Sequence, residues 1–268
     1  MSNGQYTSVK MLDFDNLKYF SNPHKVLQKV LPILSKSTNI EVTDEISTNY
    51  TYLTVGPWKY SKERQKVFDK GHFIHYDKGY FFNTKAASTF RLSYNNLQES
   101  YIFDHDDKRI SNYNIDIKPW KKQGDYILIV APDEFPIKYY TEFNNEYEWT
   151  SWLKHELRKY TDRKIFIRYK ETRKLRTDDP FVKYLDNAFA VITHQSLACI
   201  ESICEGVPVF NLAPSCCDNM ALQDISKIEQ PFYPDNRWEW IKSLSYGQFS
   251  IEELENGFAI NQLKERYL

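Results

Sequence analysis

Glycine is scarce in this chain: only 8 of the 268 residues are Gly, against 20 Tyr, 17 Phe and 6 Trp. Neither GxGxxG nor GxxxxGK(S/T) occurs. In the common nucleotide-binding folds, these glycine-rich loops let the backbone approach phosphate closely. Their absence excludes a glycine-loop nucleotide site, so any phosphate site must be built from other groups.

The chain also lacks an excess of charge of either sign, with 35 Lys and Arg against 36 Asp and Glu. This balance excludes a wholly basic nucleic-acid coat protein and an acidic disordered tail. The longest apolar run, Ile127 to Ala131, is too short to span a bilayer. Hydrophobic residues make up 41% and aromatic residues 16%, which is enough for a sizeable core in one long domain or two small ones.

Cysteine is limited to Cys199, Cys204, Cys216 and Cys217. Their spacing matches no common zinc pattern, and an adjacent pair rarely ligates one metal well. The polar N-terminus MSNGQYTSVK does not resemble a signal peptide. We therefore expect reduced, structural thiols in a cytoplasmic protein, with a metal site or a disulfide as the alternative.

The first half of the chain predicts alternating strands and helices. Helical spacing of apolar residues begins after Asn22, a suitable N-cap, and Pro23, which suits the first helical position. The predicted helices are 24–35 and 60–69, the predicted strands are 51–55 and 72–76, and the polar stretch 104–125 is predicted to be a linker or long loop. This order indicates an α/β half.

The second half restarts the same alternation with a continuous apolar strand, YILIV, which is typical of a buried parallel sheet. The predicted strands are 126–130, 164–169, 189–194 and 207–212, and the predicted helices are 148–160, 180–187 and 196–205. The last segment, 236–268, also has a helical pattern. The β-α-β-α-β-α-β order predicts a doubly wound sheet.

The stretch 190–209, AVITHQSLACIESICEGVPV, is the most informative part of the sequence. A strand ends at His194 and a helix follows Ser196, so free N–H groups and a positive dipole end would face an anion there. The Ser196 hydroxyl and the His194 ring can donate hydrogen bonds, and Glu201 can accept them from ribose hydroxyls. The alternative is purely structural: an N-cap serine, a packed histidine, a solvated glutamate and a C-cap at Gly206.

This stretch resembles the donor-binding motif of GT-B glycosyltransferases, in particular capsular-polysaccharide-type and phage-encoded enzymes. The turn serine, the helix glutamate and the Gly-x-Pro of that motif correspond to Ser196, Glu201, Gly206 and Pro208. The resemblance extends to an R-x-K strand end at Arg168 and Lys170. Looser matches lie at 76–81, at 91–98, at 244–249 and at Glu252 and Gly257.

The resemblance implies an α/β fold with two facing Rossmann-like domains of the GT-B type and a substrate cleft between them. It implies an acceptor-side domain at 1–120, a nucleotide-sugar-binding domain at 121–235, and a helical segment at 236–268 that crosses back to the first domain. It also implies that no metal is bound for catalysis. The chain departs from typical GT-B enzymes in its small size and in lacking a glycine-rich first loop.

Basic residues are concentrated between Lys154 and Arg176. Arg168 and Lys170, at a strand end, could neutralise the diphosphate of a donor. Arg173, in the following loop, could contact the donor phosphate or an anionic acceptor such as DNA. The alternative is a solvated helix face with scattered lysines. A second basic group surrounds Trp120, where interleaved cations and an aromatic ring could contact nucleic acid; its members are Lys118, Lys121 and Lys122.

Asp77 is the candidate general base, because it follows an apolar strand in the half opposite the donor site. An inverting transferase needs a carboxylate there to remove the proton of the acceptor hydroxyl. The alternative is a turn aspartate, and the rival carboxylates are Asp104, Asp106 and Asp107. Acceptor binding is assigned to Gly56, Tyr80 and Arg91, which lie at strand ends or in the matching first-half segments.

Together with these residues, the resemblance implies a glycosyltransferase that moves a sugar from a nucleotide-diphosphate donor, such as a UDP-sugar, to an acceptor hydroxyl. The phage-type resemblance favours hydroxymethyl-pyrimidine bases of double-stranded DNA as acceptor, in the host cytoplasm if the chain is phage-encoded. The alternatives are a glycan or lipid-linked acceptor, a non-catalytic nucleotide-sugar or DNA-binding module, and an epimerase or hydrolase on the same frame. The sequence leaves the oligomeric state open.

Overall fold

The computed structural model describes residues 12–21, 25–55, 69, 71–81, 89–169 and 180–268. The chain forms two compact units: unit 1 joins Met1–Leu97 to Gln248–Leu268, and unit 2 is Gln98–Gly247. These bounds differ from the predicted domain limits at 120 and 235. The polar stretch 104–125 belongs to unit 2, where the Lys118 N–H donates to the Cys204 carbonyl at 2.8 Å. The roles predicted for each domain stay predictions.

Unit 1 is built on a sheet whose described strands are β1 (Asn16–Tyr19), β2 (Asn39–Val42), β3 (Thr51–Thr54), β4 (His72–Lys78), β5 (Phe90–Tyr94) and β11 (Gln248–Phe249). Their order across the sheet is β11-β5-β4-β3-β1-β2. β1 to β4 are parallel, while β5 and β11 are antiparallel to their neighbours. The antiparallel register places Asp77 directly opposite Arg91.

Helices α1 (Lys25–Leu34), α6 (Ile251–Glu255) and α7 (Phe258–Tyr267) complete the described part of unit 1. α1 buries Leu27, Val30 and Leu34, whose spacing puts them on one helical face. α6 begins with a capping box, in which Ser250 and Glu253 satisfy each other's backbone N–H groups. These helices contribute to one apolar core with the strands.

Unit 2 contains a parallel sheet whose strands are β6 (Tyr126–Val130), β7 (Lys164–Arg168), β8 (Ala188–Thr193), β9 (Val209–Asn211) and β10 (Ala221–Leu222). Their order across the sheet is β10-β9-β8-β6-β7. Every residue of β8 is buried, because this strand lies between β6 and β9 and its apolar run meets protein on both faces.

The helices of unit 2 are α2 (Glu134–Tyr140), α3 (Glu146–Leu157), α4 (Ala198–Cys204) and α5 (Arg237–Tyr246). The Asn145 side chain caps α3 by accepting from the backbone N–H groups of Tyr147 and Glu148 at 3.0 and 2.9 Å. Trp149 and Leu153 of α3 pack into the core on β6 and β8. The mixed α/β expectation is confirmed, with two sheets based on parallel strands, consistent with two Rossmann-like domains.

The predicted strands and the helices 24–35, 148–160 and 196–205 are confirmed to within a few residues at each end. The predicted helix 180–187 is a shorter 3₁₀ helix at Phe181–Leu185. Segment 236–268 is not helical throughout, because β11 interrupts it. The predicted cap at Asn22 and Pro23, and residues 60–68 of the predicted helix, lie outside the described residues. In the described part of the chain, no helix is long and apolar enough to cross a membrane.

Candidate functional site

The order in which the chain adds strands to the unit 2 sheet reverses between β6 and β8. From β6 the chain moves to β7 on one side, then returns to β8 on the other side and continues to β9. In open α/β sheets, ligands bind outside the carboxyl ends of the strands at such a switch point. The segment that begins with His194, Gln195 and Ser196 leaves β8 at this point, so the donor residues predicted from this turn lie where this topology favours a ligand.

The turn after β8 contains a left-handed residue that is not glycine. Gln195 has a φ of 60°, a conformation that is costly for a residue with a side chain. Its backbone N–H donates to Asn211 Oδ1 at 3.2 Å, and its carbonyl accepts from Gln98 Nε2 at 3.0 Å. Its own side chain donates to the Tyr140 hydroxyl at 2.8 Å and to the Pro214 carbonyl at 3.0 Å. The surrounding structure therefore fixes this conformation at four points.

Ser196 and Glu201 follow that turn. Ser196 is partly exposed, and its Oγ accepts from the Ala198 N–H at 3.2 Å, so its hydroxyl proton can be directed to a ligand. Glu201 lies in α4 with an exposed side chain. Desolvation and then the charge of Glu205 raise the pKa of Glu201, while the Arg168 guanidinium opposes the rise. Arg168 and Glu201, predicted from separate motifs, therefore influence each other electrostatically.

Arg168 ends β7, at the carboxyl edge of the unit 2 sheet. Its guanidinium carbon lies 5.2 Å from the Phe181 ring centre and 5.4 Å from the Tyr184 ring centre. Contacts of this length hold a partly exposed cation without neutralising its charge. Lys170 and Arg173, predicted to assist Arg168, lie outside the described residues.

His194 occupies a different environment from the one predicted. The side chain is 1% exposed, and its ring meets Trp149 and Tyr140 edge to face at centroid distances of 5.4 and 5.9 Å. Burial lowers the pKa of His194 to about 4, so the ring is neutral at pH 7. Among the described residues, neither ring nitrogen has a hydrogen-bond partner. This packing does not favour the predicted contact with phosphate, which stays a prediction.

Unit 1 brings together the candidate base and a residue assigned to the acceptor. Arg91 is 5% exposed, and one Nη donates to Asp77 Oδ2 at 2.6 Å. Its other donors go to the Lys78 carbonyl at 2.9 Å and the Leu97 carbonyl at 3.2 Å. With its guanidinium fixed by three acceptors, Arg91 holds the Asp77 carboxylate rather than presenting a free cation to a ligand. The Asp77 side chain is 44% exposed.

The turn after Asp77 is fixed by Gln248, a residue to which the sequence assigned no role. Its buried Oε1 accepts from the N–H groups of Tyr80 at 2.6 Å and Phe81 at 2.9 Å. Gly79 needs to be glycine, because an added Cβ would collide with Thr89 and lie 2.7 Å from Gln248 Oε1. Tyr80, predicted to bind acceptor, is itself buried at 3% exposure. Gly56, the third acceptor residue, lies outside the described residues.

The basic group around Trp120 has internal partners. Trp120 Nε1 donates to the Pro234 carbonyl at 3.1 Å, and the Arg237 guanidinium lies 4.0 Å from its ring centre. Lys118 pairs with Glu205 at 2.6 Å, and Lys121 Nζ donates to the Leu185 carbonyl at 2.8 Å. Lys122 lies 3.4 Å from the Tyr233 ring centre. These contacts do not favour the predicted nucleic-acid surface.

Two of the three rival carboxylates also have structural partners. Asp106 accepts from the Tyr246 hydroxyl, which lowers the pKa of Asp106 to about 2. Asp107 Oδ1 accepts from Trp238 Nε1 at 3.2 Å. Within the described ranges, no group of three or more His, Cys, Asp or Glu side chains could hold a metal ion.

Three thiols lie in the core of unit 2, consistent with a structural role. Cys199, Cys216 and Cys217 are fully buried and form no disulfide. The Sγ atoms of Cys199 and Cys216 are 3.8 Å apart, which is a van der Waals rather than a covalent distance. Burial raises the pKa of the Cys199 thiol well above its usual value.

Comparison with known proteins finds a likeness in fold. No protein-family model and no curated protein sequence matches this chain. The solved β-Kdo 2,7 transferase KpsC of Thermosulfurimonas dismutans matches with a TM-score of 0.50 at 10% identity, over 93% of this chain and 99% of that chain. The β-Kdo 2,4 transferase KpsC of the same organism gives 0.49 at 10% identity, over 88% and 92%.

The resemblance to capsular-polysaccharide-type transferases is therefore confirmed for the fold, through the match at 0.50. An identity of 10% carries no information about individual residues or substrates. Function has to be argued from the site itself.

Proposed function

We propose that this chain is a glycosyltransferase of GT-B type that uses a nucleotide-activated sugar. One observation carries the proposal: polar groups chosen from sequence motifs lie along the carboxyl edge of the unit 2 sheet, at its switch point. Ser196 follows β8 and Arg168 ends β7, while Glu201 interacts electrostatically with Arg168. That edge is where doubly wound sheets bind nucleotides.

Each of these groups has a defined task. Arg168 and the Ser196 hydroxyl stabilise the negative charge that grows on the departing phosphate. Glu201 accepts hydrogen bonds from the ribose hydroxyls. Lys170 and Arg173 are proposed to add positive charge from the sequence following β7. The raised pKa of Glu201 suits a carboxylate that gains hydrogen-bond donors when the ligand binds.

Asp77 is proposed to remove the proton of the acceptor hydroxyl. The acceptor oxygen then bonds to the anomeric carbon while the bond from that carbon to the phosphate oxygen breaks, and the nucleotide leaves with the electron pair. Arg91 orients the carboxylate through Oδ2, and the Lys78 N–H donates to Oδ1 at 2.8 Å. Each oxygen retains a lone pair for the acceptor proton. Tyr80 and Gly56 are proposed to border the acceptor.

The identities of the sugar donor and of the acceptor have to be determined by experiment. The solved neighbour KpsC of Thermosulfurimonas dismutans is a Kdo transferase, so a nucleotide-activated form of Kdo belongs in the donor panel beside UDP-sugars. A glycan hydroxyl is the acceptor we propose. The hydroxymethyl-pyrimidine DNA acceptor stays a prediction that the internally paired Lys118 and Lys121 do not favour. The cytoplasmic location also stays a prediction.

Nucleotide binding tests the donor site directly. A panel of UDP, GDP, dTDP and CMP is screened for stabilisation of the folded protein, because a ligand that binds only the native state raises the melting temperature. We expect one nucleotide to stabilise the wild type, and Ser196→Ala and Glu201→Gln to weaken its binding about tenfold. Glu239→Gln is the matched control, since Glu239 is also an exposed acid in the first turn of a helix. An unchanged melting temperature with every nucleotide contradicts the proposal.

Sugar transfer separates catalysis from binding. Radiolabelled donors are offered with a glycan panel, with DNA containing hydroxymethylcytosine and with unmodified DNA. Asp77→Asn is expected to reduce transfer more than a hundredfold with little change in nucleotide affinity. Transfer that is insensitive to EDTA supports the prediction of no catalytic metal. Nucleotide binding without transfer to any acceptor favours the non-catalytic module, and release of free sugar favours the hydrolase.

A further inference from the structure

Asn211, at the end of β9, has every hydrogen-bonding position of its side chain occupied. Its Oδ1 accepts from the Thr193 hydroxyl at 2.9 Å and from the Gln195 N–H at 3.2 Å. Its Nδ2 donates to the Ala213 carbonyl and to Asp218 Oδ1 at 3.2 Å. The residue is 1% exposed. A carboxamide offers two acceptor and two donor positions, so this one is used completely and holds a single orientation.

Asp218 sets which end of that carboxamide faces the turn. Its Oδ1 accepts both from Asn211 Nδ2 and from the Ser215 N–H at 3.0 Å. Desolvation raises the pKa of the Asp218 carboxyl, although these bonds oppose the rise. An acceptor on this side requires the amide nitrogen to point toward Asp218. The amide oxygen must then point toward Gln195.

The turn that receives this oxygen is strained and rigid. The other positive φ angles of the described residues belong to two glycines, Gly206 at 77° and Gly257 at 85°, and to Asn95 at 50°, a residue type that tolerates this region. Glutamine is not a favoured residue type at φ 60°, and the Gln195 side chain adds two bonds that glycine could not make. Gln98 completes the arrangement by bonding both the Gln195 carbonyl and the Cys216 N–H, each at 3.0 Å. Such over-determination of a strained residue is characteristic of functional sites.

We propose that Asn211 is a positioning residue of the donor site: it fixes the left-handed Gln195 turn, and the turn aims the Ser196 hydroxyl at the bound nucleotide. This inference rests on the proposed function. Asn211 itself touches no ligand, so its effect reaches the ligand through Gln195. Displacement of the Asn211 side chain therefore makes the contact between Ser196 and the phosphate less precise, but it removes no side chain that binds the ligand.

The test exchanges the Asn211 carboxamide and the Asp218 carboxylate. Asn211→Asp keeps an acceptor for Gln195 but places a carboxylate against the Asp218 carboxylate, so the pair repels or shares a proton. Adding Asp218→Asn restores a donor between the two side chains. The probe is whichever of UDP, GDP, dTDP and CMP stabilises the wild type most, titrated by calorimetry. We expect about tenfold weaker binding for Asn211→Asp and partial recovery in the double variant, because the exchange restores the bond between the two side chains but not the donor to the Ala213 carbonyl or the acceptor for the Ser215 N–H.

Two further variants separate positioning from loss of fold. Ile228→Val removes a methylene from the apolar core of unit 2 and lowers stability without changing the Gln195 turn. The nucleotide affinity of this variant should match that of the wild type. Gln195→Gly keeps the fold, because glycine accepts a positive φ, but loses two bonds and should also weaken binding.

Hydrogen exchange provides a readout that needs no ligand. In Asn211→Asp we expect faster exchange of the amides at residues 195–198, with unchanged exchange in α3. Unchanged exchange at the turn, or full affinity in both Asn211→Asp and Gln195→Gly, overturns the inference. A wild type that binds no nucleotide instead contradicts the proposed function, which the calorimetric control shows before any variant is compared.

Discussion

Removal of Arg91 should destabilise unit 1 far more than removal of its ionic partner. In Arg91→Ala the carbonyls of Lys78 and Leu97 lose their donors, at about 1 kcal/mol for each of these partly buried hydrogen bonds. The ion pair with Asp77, a side chain 44% exposed, adds about 1 kcal/mol or less. Together these losses give about 3 kcal/mol. Asp77→Asn loses only the ion pair and should cost about 1 kcal/mol.

Urea unfolding followed by circular dichroism measures the difference. With a slope of about 2 kcal/mol per molar urea, Arg91→Ala should lower the midpoint for unit 1 by about 1.5 M, and Asp77→Asn by about 0.5 M. Arg91→Lys should lie between them, because an ammonium cannot reproduce the three-way fork of the guanidinium. Hydrogen exchange in β4 and β5 assigns the loss to unit 1, since a chain with two compact units need not unfold in one step.

Equal destabilisation by Arg91→Ala and Asp77→Asn would refute this reasoning, because it would mean that the carbonyl contacts contribute nothing. In sugar transfer the order should be reversed, with the larger loss of activity in Asp77→Asn. Asp77→Asn removes the proposed base and leaves the fold largely intact. A double-mutant cycle between the two positions should return a coupling of about 1 kcal/mol.

Three further outcomes are expected. Gly206→Ala should cost at least 1–3 kcal/mol in urea unfolding, because the new Cβ meets the Pro119 carbonyl at a positive φ; loss within the error of measurement would contradict the close approach. His194 has its pKa lowered from its ordinary 6.5 to about 4, so the unfolded chain binds its proton first and stability should fall by about 3 kcal/mol between pH 6.5 and pH 4. His194→Phe should flatten that part of the pH profile, and an unchanged slope would argue against burial of the ring. The three buried thiols should react with Ellman's reagent only on unfolding, and rapid reaction of all four cysteines in the native protein would count against their burial.

The sequence predicts the sheet of unit 2 well, because local patterns determine its strands. β6 and β8 are continuous apolar runs, which is the pattern of strands buried on both faces of a parallel sheet. The turn at Ser196 is marked by polar residues between such a strand and a helix. Arg168 could be assigned to the same edge because parallel strands end together.

The remaining site residues depend on contacts between distant parts of the chain. Gln98 meets Gln195, and Gln248 meets Tyr80; neither pairing leaves a trace in a local window. The Asp77–Arg91 pair depends on antiparallel register, which the alternation of strands and helices in the first half did not indicate. His194 looked available for a ligand, and only the packing of α3 on β8 shows that its ring is buried.

The order of the chain in unit 1 has a consequence for synthesis. Unit 2 interrupts unit 1, whose last strand and two helices lie in Gln248–Leu268. At roughly 5–20 residues per second, the ribosome supplies this segment only after all of unit 2 has been made. Until then β5 lacks β11 and is an open edge that can pair with another chain. The nascent chain is therefore open to pairing with another chain at β5 throughout the synthesis of unit 2.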